Sequence, residues 1–157
     1  MSLYRLSRNV EASFIDYVAQ QLTADGWHDI RTEKSFAEVY KGTLPCICIN
    51  VLDRPVNKLE IGSTTIFKDL TVEIRIFATS DGQRLDLADW LIDKVLPGIV
   101  YYQYEVVSGV VSHKTNLGRI NILAVPQHKK ELVNTENLVK EDRYRHLITL
   151  DCRVALI

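Results

Sequence analysis

Residues 70–97 read LTVEIRIFATSDGQRLDLADWLIDKVLP, and the fold is decided in this stretch. Leu70, Val72, Ile74, Ile76 and Ala78 fall on one side of an extended chain, with Thr71, Glu73, Arg75 and Thr79 on the other. Period-two alternation over that length predicts a half-buried β-strand. Ser80-Asp81-Gly82-Gln83 follows with the form of a capping box, in which the Ser80 hydroxyl and the Gln83 amide each satisfy an orphan backbone N–H. Helical spacing of Leu85, Ala88, Leu91, Ile92, Val95 and Leu96 then predicts a helix that Pro97-Gly98 stops. A strand runs straight into a capped helix, and neither carries a catalytic signature.

On the N-terminal side, residues 3–24 predict an amphipathic helix. Leu3, Leu6, Val10, Phe14, Tyr17, Val18 and Leu22 form its apolar stripe, and Asp25-Gly26 its stop. Phe36 to Tyr40 reads as a short strand and Lys41-Gly42-Thr43 as a turn. Pro45 introduces a strand from Cys46 to Leu52 with apolar or small residues on both faces, the pattern of a strand covered on two sides. Arg54 to Thr65 is polar and holds Pro55 and Gly62, which fits a long loop or a projecting hairpin.

On the C-terminal side, Ile99–Val111 and Leu117–Val125 read as strands joined near Ser112–Asn116. Gln127 to Arg145 is rich in charge and amides with no clear period, a length of unpatterned chain that is either functional or disordered in a compact domain. Ile148, Leu150, Cys152, Val154 and Leu156 alternate with polar residues in a last strand that fastens the chain end into a sheet. The expectation is a single α+β domain over 1–157. Its sheet is mostly antiparallel, with two amphipathic helices on one face and extended loop or hairpin arms.

The chain has 157 residues, enough to bury a core without metal or disulfide staples. Its formal net charge of -1 lacks the basic excess of a dedicated nucleic-acid binder. Three cysteines are too few and too odd in number for a disulfide framework and predict a reducing compartment. Met1 to Arg5 lacks the apolar core of a signal peptide, and no run approaches the ~20 apolar residues of a membrane span. These features predict a cytoplasmic protein where it is made, with no membrane partner.

Catalytic and metal chemistry find little purchase. Cys46-x-Cys48 places two thiols on one strand face roughly 6.6–6.8 Å apart, with no further ligands at zinc spacing, so they read as small buried hydrophobes. His28, His113, His128 and His146 are scattered, and read as surface or loop histidines. Asp86, Asp89 and Asp93 share one side of the second helix, opposite its apolar stripe, where a solvated face explains them. Gly62-Ser63-Thr64-Thr65 lacks the Gly-Lys-Ser/Thr of a phosphate loop. No catalytic residue, cofactor or metal is assigned. Tyr101-Tyr102-x-Tyr104 fits either an interface or strand packing.

Four blocks together carry a resemblance. They are Leu44-Pro45-Cys46-Ile47-Cys48-Ile49, Glu60-Ile61-Gly62, Ile76-Phe77-Ala78-Thr79-Ser80-Asp81 and Arg84-Leu85-Asp86-Leu87-Ala88-Asp89, in that order behind an N-terminal helix. The chain resembles, over roughly residues 1–125, the tail terminator or tail-completion proteins of long-tailed bacteriophages, and more loosely other neck components. The resemblance implies a structural virion protein and a homo-oligomer, typically a hexameric ring. That ring caps the tail tube, stops its elongation and offers a docking face to a neck or head-completion protein. DNA passes through the lumen without sequence-specific binding. It implies a location in the virion tail or neck, after assembly in the host cytoplasm.

A ring subunit needs contacts that close on themselves, and exposed arms supply them. The residues expected at oligomer or partner contacts are Arg54, Lys58 and Glu60 on the first arm and Tyr101 and Tyr102 on the aromatic run. His128, Lys129, Lys130, Arg143 and Arg145 are expected on the second arm. The competing readings are another head–tail joining component and, from a different class, a small bacterial ligand-binding or regulatory domain with an apolar pocket.

Overall fold

The computed structural model describes residues 4–58, 66–133 and 139–157. Helix α1 (Leu6–Ala24) leads to strand β1 (Arg31–Glu33), the one-turn helix α2 (Phe36–Val39), and the paired strands β2 (Cys46–Lys58) and β3 (Ile66–Phe77). Helix α3 (Asp81–Val95), strands β4 (Ile99–Val107) and β5 (Val110–Glu131), a 3-10 turn (Lys140–Asp142) and strand β6 (Arg145–Leu156) complete the chain. The six strands form one sheet in the order β1-β2-β3-β6-β5-β4. The β1–β2 pair is parallel and the other four pairs are antiparallel. Among the described residues the fold is therefore a mixed α/β sheet with three helices, broader than the antiparallel, two-helix expectation.

The sheet curls. Helix α1 packs against β1 and β2 at one end of the strand order and against β4 at the other, so the sheet wraps round it. Helix α3 packs on the middle strands β3 and β6. Both helices share one core with the even-numbered face of β3 and β6: Leu70, Val72, Ile74 and Ile76 with Ile148, Leu150 and Cys152. The expected alternation of 70–78 is thus the inner face. A second, smaller core on the outer face holds Val39, Cys46, Cys48 and Phe77, with Phe36 and Leu44 packed against it. Cys46, Ile47, Cys48 and Ile49 are all buried, which makes β2 covered on two sides at this end, as its composition predicts.

Several boundaries differ from expectation. Phe36–Val39 is helical rather than extended, because Phe36 and Val39 stand three apart and together reach the second core, a spacing a strand cannot give. The strand beside β2 is instead Arg31–Glu33. The β4–β5 turn is Ser108-Gly109, not Ser112–Asn116; both residues have positive φ (51° and 78°), the twist of a two-residue hairpin turn. Gln127–Glu131 continues β5 against Thr149–Arg145, so the start of the unpatterned segment is strand. Val56–Lys58 pairs with Ile66–Lys68 after a register shift at Asp53–Val56, so the described part of the first arm is antiparallel ladder.

Helix α3 begins as its capping box predicts. Ser80 Oγ accepts from the Gln83 N–H at 3.2 Å, while Gln83 Oε1 accepts from the Thr79 N–H at 2.8 Å, one residue earlier than the usual reciprocal bond. Its buried stripe is Arg84, Leu87, Ala88, Leu91 and Val95, while Leu85 and Leu96 stay about half exposed. The helix is rotated from the expected stripe because Arg84, a polar residue, points inward to partners on the sheet. At the other end, Asp25 accepts from Trp90 Nε1 at 2.8 Å and meets Lys94 Nζ at 2.7 Å, pinning the α1 stop to α3.

Candidate functional site

The first feature is how α1 treats the open strand edges. Strand β4 pairs only with β5, so its other edge carries unpaired N–H groups. Ser13 Oγ accepts from the Tyr102 N–H at 3.1 Å, and Asn9 Oδ1 from the Tyr104 N–H at 3.4 Å. A helix climbs about 6.0 Å in four residues, and a strand about 6.8 Å in two. Residues four apart on α1 therefore match alternate N–H groups on β4. On the far side, Glu11 Oε2 accepts from the Val51 N–H of β2 at 3.2 Å, beyond the short β1. Helix α1 stands in for a missing strand, which is why Asn9 and Ser13 are buried in an otherwise apolar stripe.

A cleft of about 380 Å³ opens where this substitution ends, between the first turns of α1, β1 and the β4–β5 hairpin. Ala12, Ile15, Val106 and Val111 give it an aliphatic floor. Arg5, Arg8 and Lys34 stand on its rim beside Glu11, Asp16 and Glu33. Asp16 accepts from the Tyr104 hydroxyl at 2.8 Å, and burial together with that carboxylate raises the Tyr104 pKa.

The second feature is a hydrogen-bonded chain between α3 and the sheet. Arg84 Nη1 lies 2.6 Å from His146 Nδ1, and His146 Nε2 lies 2.7 Å from His128 Nδ1. His128 Nε2 is in turn 3.5 Å from Asp89 Oδ1. Arginine only donates, so His146 Nδ1 must accept and its proton sits on Nε2. The same logic puts the His128 proton on Nε2, facing Asp89. Asp81 meets Arg84 Nε at 2.9 Å and Lys130 Nζ at 3.3 Å, and these cations hold its carboxyl below the usual range. His146 is 3% exposed; burial, then the neighbouring His128 and Arg84, push its pKa down to about 4.

The third feature lies on the outer face under α2. Glu131 receives Arg145 Nη2 at 2.5 Å and Arg75 Nε at 2.9 Å, and Arg75 also contacts Glu73. Arg145 Nη1 reaches Asp142 at 3.1 Å, and the Tyr40 hydroxyl donates to the same carboxylate at 2.7 Å. The Phe36 ring lies 4.7 Å from the Arg75 guanidinium. Burial, reinforced by the Asp142 bond, pushes the Tyr40 phenol up to about 12. This network joins β3, β5, β6 and the 3-10 turn, and its chemistry is structural.

The expected contact residues are dispersed. Tyr101 is 5% and Arg145 8% exposed, so both are committed within the chain rather than displayed at its surface. Tyr102 is half-buried, with Lys114 Nζ 4.6 Å over its ring. His128, Lys129, Lys130 and Arg143 are exposed, His128 and Lys130 with partners on α3. Arg54 lies at the β2 register shift between Asp53 and Val56 and Lys58 beyond it, while Glu60 falls outside the described residues. Asp86, Asp89 and Asp93 are exposed as a solvated face predicts.

Sequence reasoning missed Arg84, His146, Asn9 and Ser13. The parity of His146 with Ile148 and Leu150 was the available signal, since it puts the imidazole on the inner face. The cysteines are free and buried; burial raises the Cys46 thiol to about 11 and the Cys152 thiol to about 12. Among the described residues, no group of His, Cys, Asp and Glu is arranged to hold a metal ion.

Fold and site define a curled, mixed α/β sheet domain whose first helix closes its open edges. No protein-family model matches the chain, and no curated protein sequence matches it.

Proposed function

We propose that the chain is a tail terminator of a long-tailed bacteriophage, a structural protein with no catalytic role. In this reading it forms a ring, typically of six copies, that caps the tail tube and ends its growth. The ring docks the neck or head-completion protein, and DNA passes through its lumen. The observation that carries the reading is the ordered set of four sequence blocks, Leu44–Ile49, Glu60–Gly62, Ile76–Asp81 and Arg84–Asp89. In support, the first and third blocks adjoin, Cys46 lying opposite Phe77 and Ile47 opposite Ile76, and the third runs directly into α3. They form one contiguous scaffold from which the β2–β3 hairpin projects.

The location that follows is the virion tail or neck, after assembly in the host cytoplasm. Among the described residues no helix is long and apolar enough to cross a membrane. Exposed Lys129 and Arg143 and the Arg54–Lys58 arm are the contacts this reading favours, while Arg145 and Tyr101 serve the fold. The test is deletion of the gene from a phage that carries it, followed by electron microscopy of the lysate. Filled heads beside unjoined tails of irregular length are expected. Unjoined tails of normal length would instead assign a head–tail joining component, and normal joined virions would sink both.

A further inference from the structure

Three acids and three cations stand on the rim of the cleft between α1, β1 and the β4–β5 hairpin, and they are not equivalent. Each acid is already engaged within the chain. Glu11 accepts from the Val51 N–H at 3.2 Å, and Glu33 receives Arg31 Nη1 at 3.0 Å. Asp16 accepts from the Tyr104 hydroxyl at 2.8 Å and meets Lys114 Nζ at 3.4 Å. Among the described residues Arg8 and Lys34 make no ion pair or side-chain hydrogen bond, and Arg5 only lies over the Tyr4 ring at 5.1 Å. The cations are exposed while the acids are half-buried. The charge left to offer an incoming ligand is therefore positive. Beneath it the floor of Ala12, Ile15, Val106 and Val111 is aliphatic.

We propose that the cleft binds a small aliphatic monocarboxylate, its hydrocarbon chain on the floor and its carboxylate between Arg8 and Lys34. A cavity of about 380 Å³ with an apolar lining and a few polar groups has the form of a small-molecule site, near the lower end of the usual size range. The Arg8 guanidinium offers a fork that matches a carboxylate, and the Lys34 ammonium adds a point charge. The acids decide how much charge the ligand carries. Glu11, Asp16 and Glu33 remain negative beside the head group, so a phosphate monoester, close to dianionic at neutral pH, meets about twice the repulsion that a carboxylate meets. An alcohol of the same length fills the floor but gives the two cations no counter-charge. This site lies outside the tail role and does not rest on it.

Titration calorimetry of the full chain with octanoate at neutral pH tests the site. One-to-one binding with a Kd below about 1 mM is expected. Acetate lacks the chain, octanol the charge, and octyl phosphate the single charge, and each should bind at least about tenfold more weakly. Arg8→Gln combined with Lys34→Gln should weaken octanoate binding by about tenfold or more, and so should Val111→Asp, which sets a carboxylate on the floor at a 55% exposed position. Lys140→Gln, which removes an exposed cation from the 3-10 turn, should leave the affinity unchanged. No saturation by about 10 mM octanoate, octanol binding equally well, or an affinity unmoved by the Arg8 and Lys34 changes overturns the proposal. Octyl phosphate binding as tightly as octanoate overturns it too, in favour of a phosphate head group. Failure here leaves tail length in the gene-deletion experiment untouched, so the two readings are judged separately.

Discussion

Acidification is expected to loosen α3 from the sheet through His146. The folded-state pKa of this imidazole is held near 4, against about 6.5 in an unfolded chain. Between those values the unfolded chain binds a proton that the folded chain refuses. The stability tied to neutral His146 is therefore fully present above about pH 6.5. It falls by about 1.4 kcal/mol per pH unit as the pH drops toward 4, and is flat below. Integrated over the window, the loss is about 3 kcal/mol, a large share of the 5–15 kcal/mol typical of a domain.

The charged groups around the pair sharpen the expectation. Arg84 cannot accept, so a second proton on His146 Nδ1 breaks the 2.6 Å contact and sets two cations together. Asp81 and Asp89 lie at either end of the chain, and Lys130 adds positive charge beside Asp81. The assay is urea unfolding followed by tryptophan fluorescence at pH 7.5, 6.5, 5.5 and 4.5, for the native chain and His146→Gln. Glutamine can accept from Arg84 and donate to His128 but does not titrate. The native chain is expected to lose stability relative to the variant across this range at nearly constant m-value. Parallel curves for the two proteins would refute the reasoning.

Further expectations follow from the packing. Ser13→Ala leaves the Tyr102 N–H without its acceptor and should lower stability by about 1–3 kcal/mol in denaturant titration, with faster amide exchange confined to β4. Leu87→Ala is expected to cost about 2–5 kcal/mol, whereas Leu85→Ala stays within about 0.5 kcal/mol, because only Leu87 lies on the buried stripe. Arg145→Ala leaves Glu131 to Arg75 and Asp142 to the Tyr40 hydroxyl but removes the cation between them, and should destabilise by about 1–3 kcal/mol, read as a lower urea midpoint. The three native thiols should react with a disulfide reagent at pH 8 only at the rate of unfolding, since each is buried and its pKa is raised.

The sequence by itself determined the elements whose signal is local. The alternation of Leu70 to Ile76 and the Ser80 cap depend only on neighbours along the chain, and both stand as read. The two-faced run expected from Cys46 to Leu52 is covered on both sides only as far as Ile49, Leu52 being 46% exposed. Local signals also misled where a short segment was claimed by distant contacts. Phe36 and Val39 form a helical turn because a second core lies under them, and α3 rotates because Arg84 has a partner 62 residues away. The tail role rests on the ordered blocks of sequence and not on the geometry.

Only the tertiary structure decided which polar residues are paired, and with what. Asn9 and Ser13 look like flaws in an apolar stripe until the sheet curls and brings β4, some 90 residues on, against α1. Arg145, read as an arm residue, becomes the centre of an ion network once β5 and β6 set Glu131 opposite it. Side-chain periodicity records whether a position faces inward. The partner found there depends on strand register and sheet curl, which are properties of the whole chain.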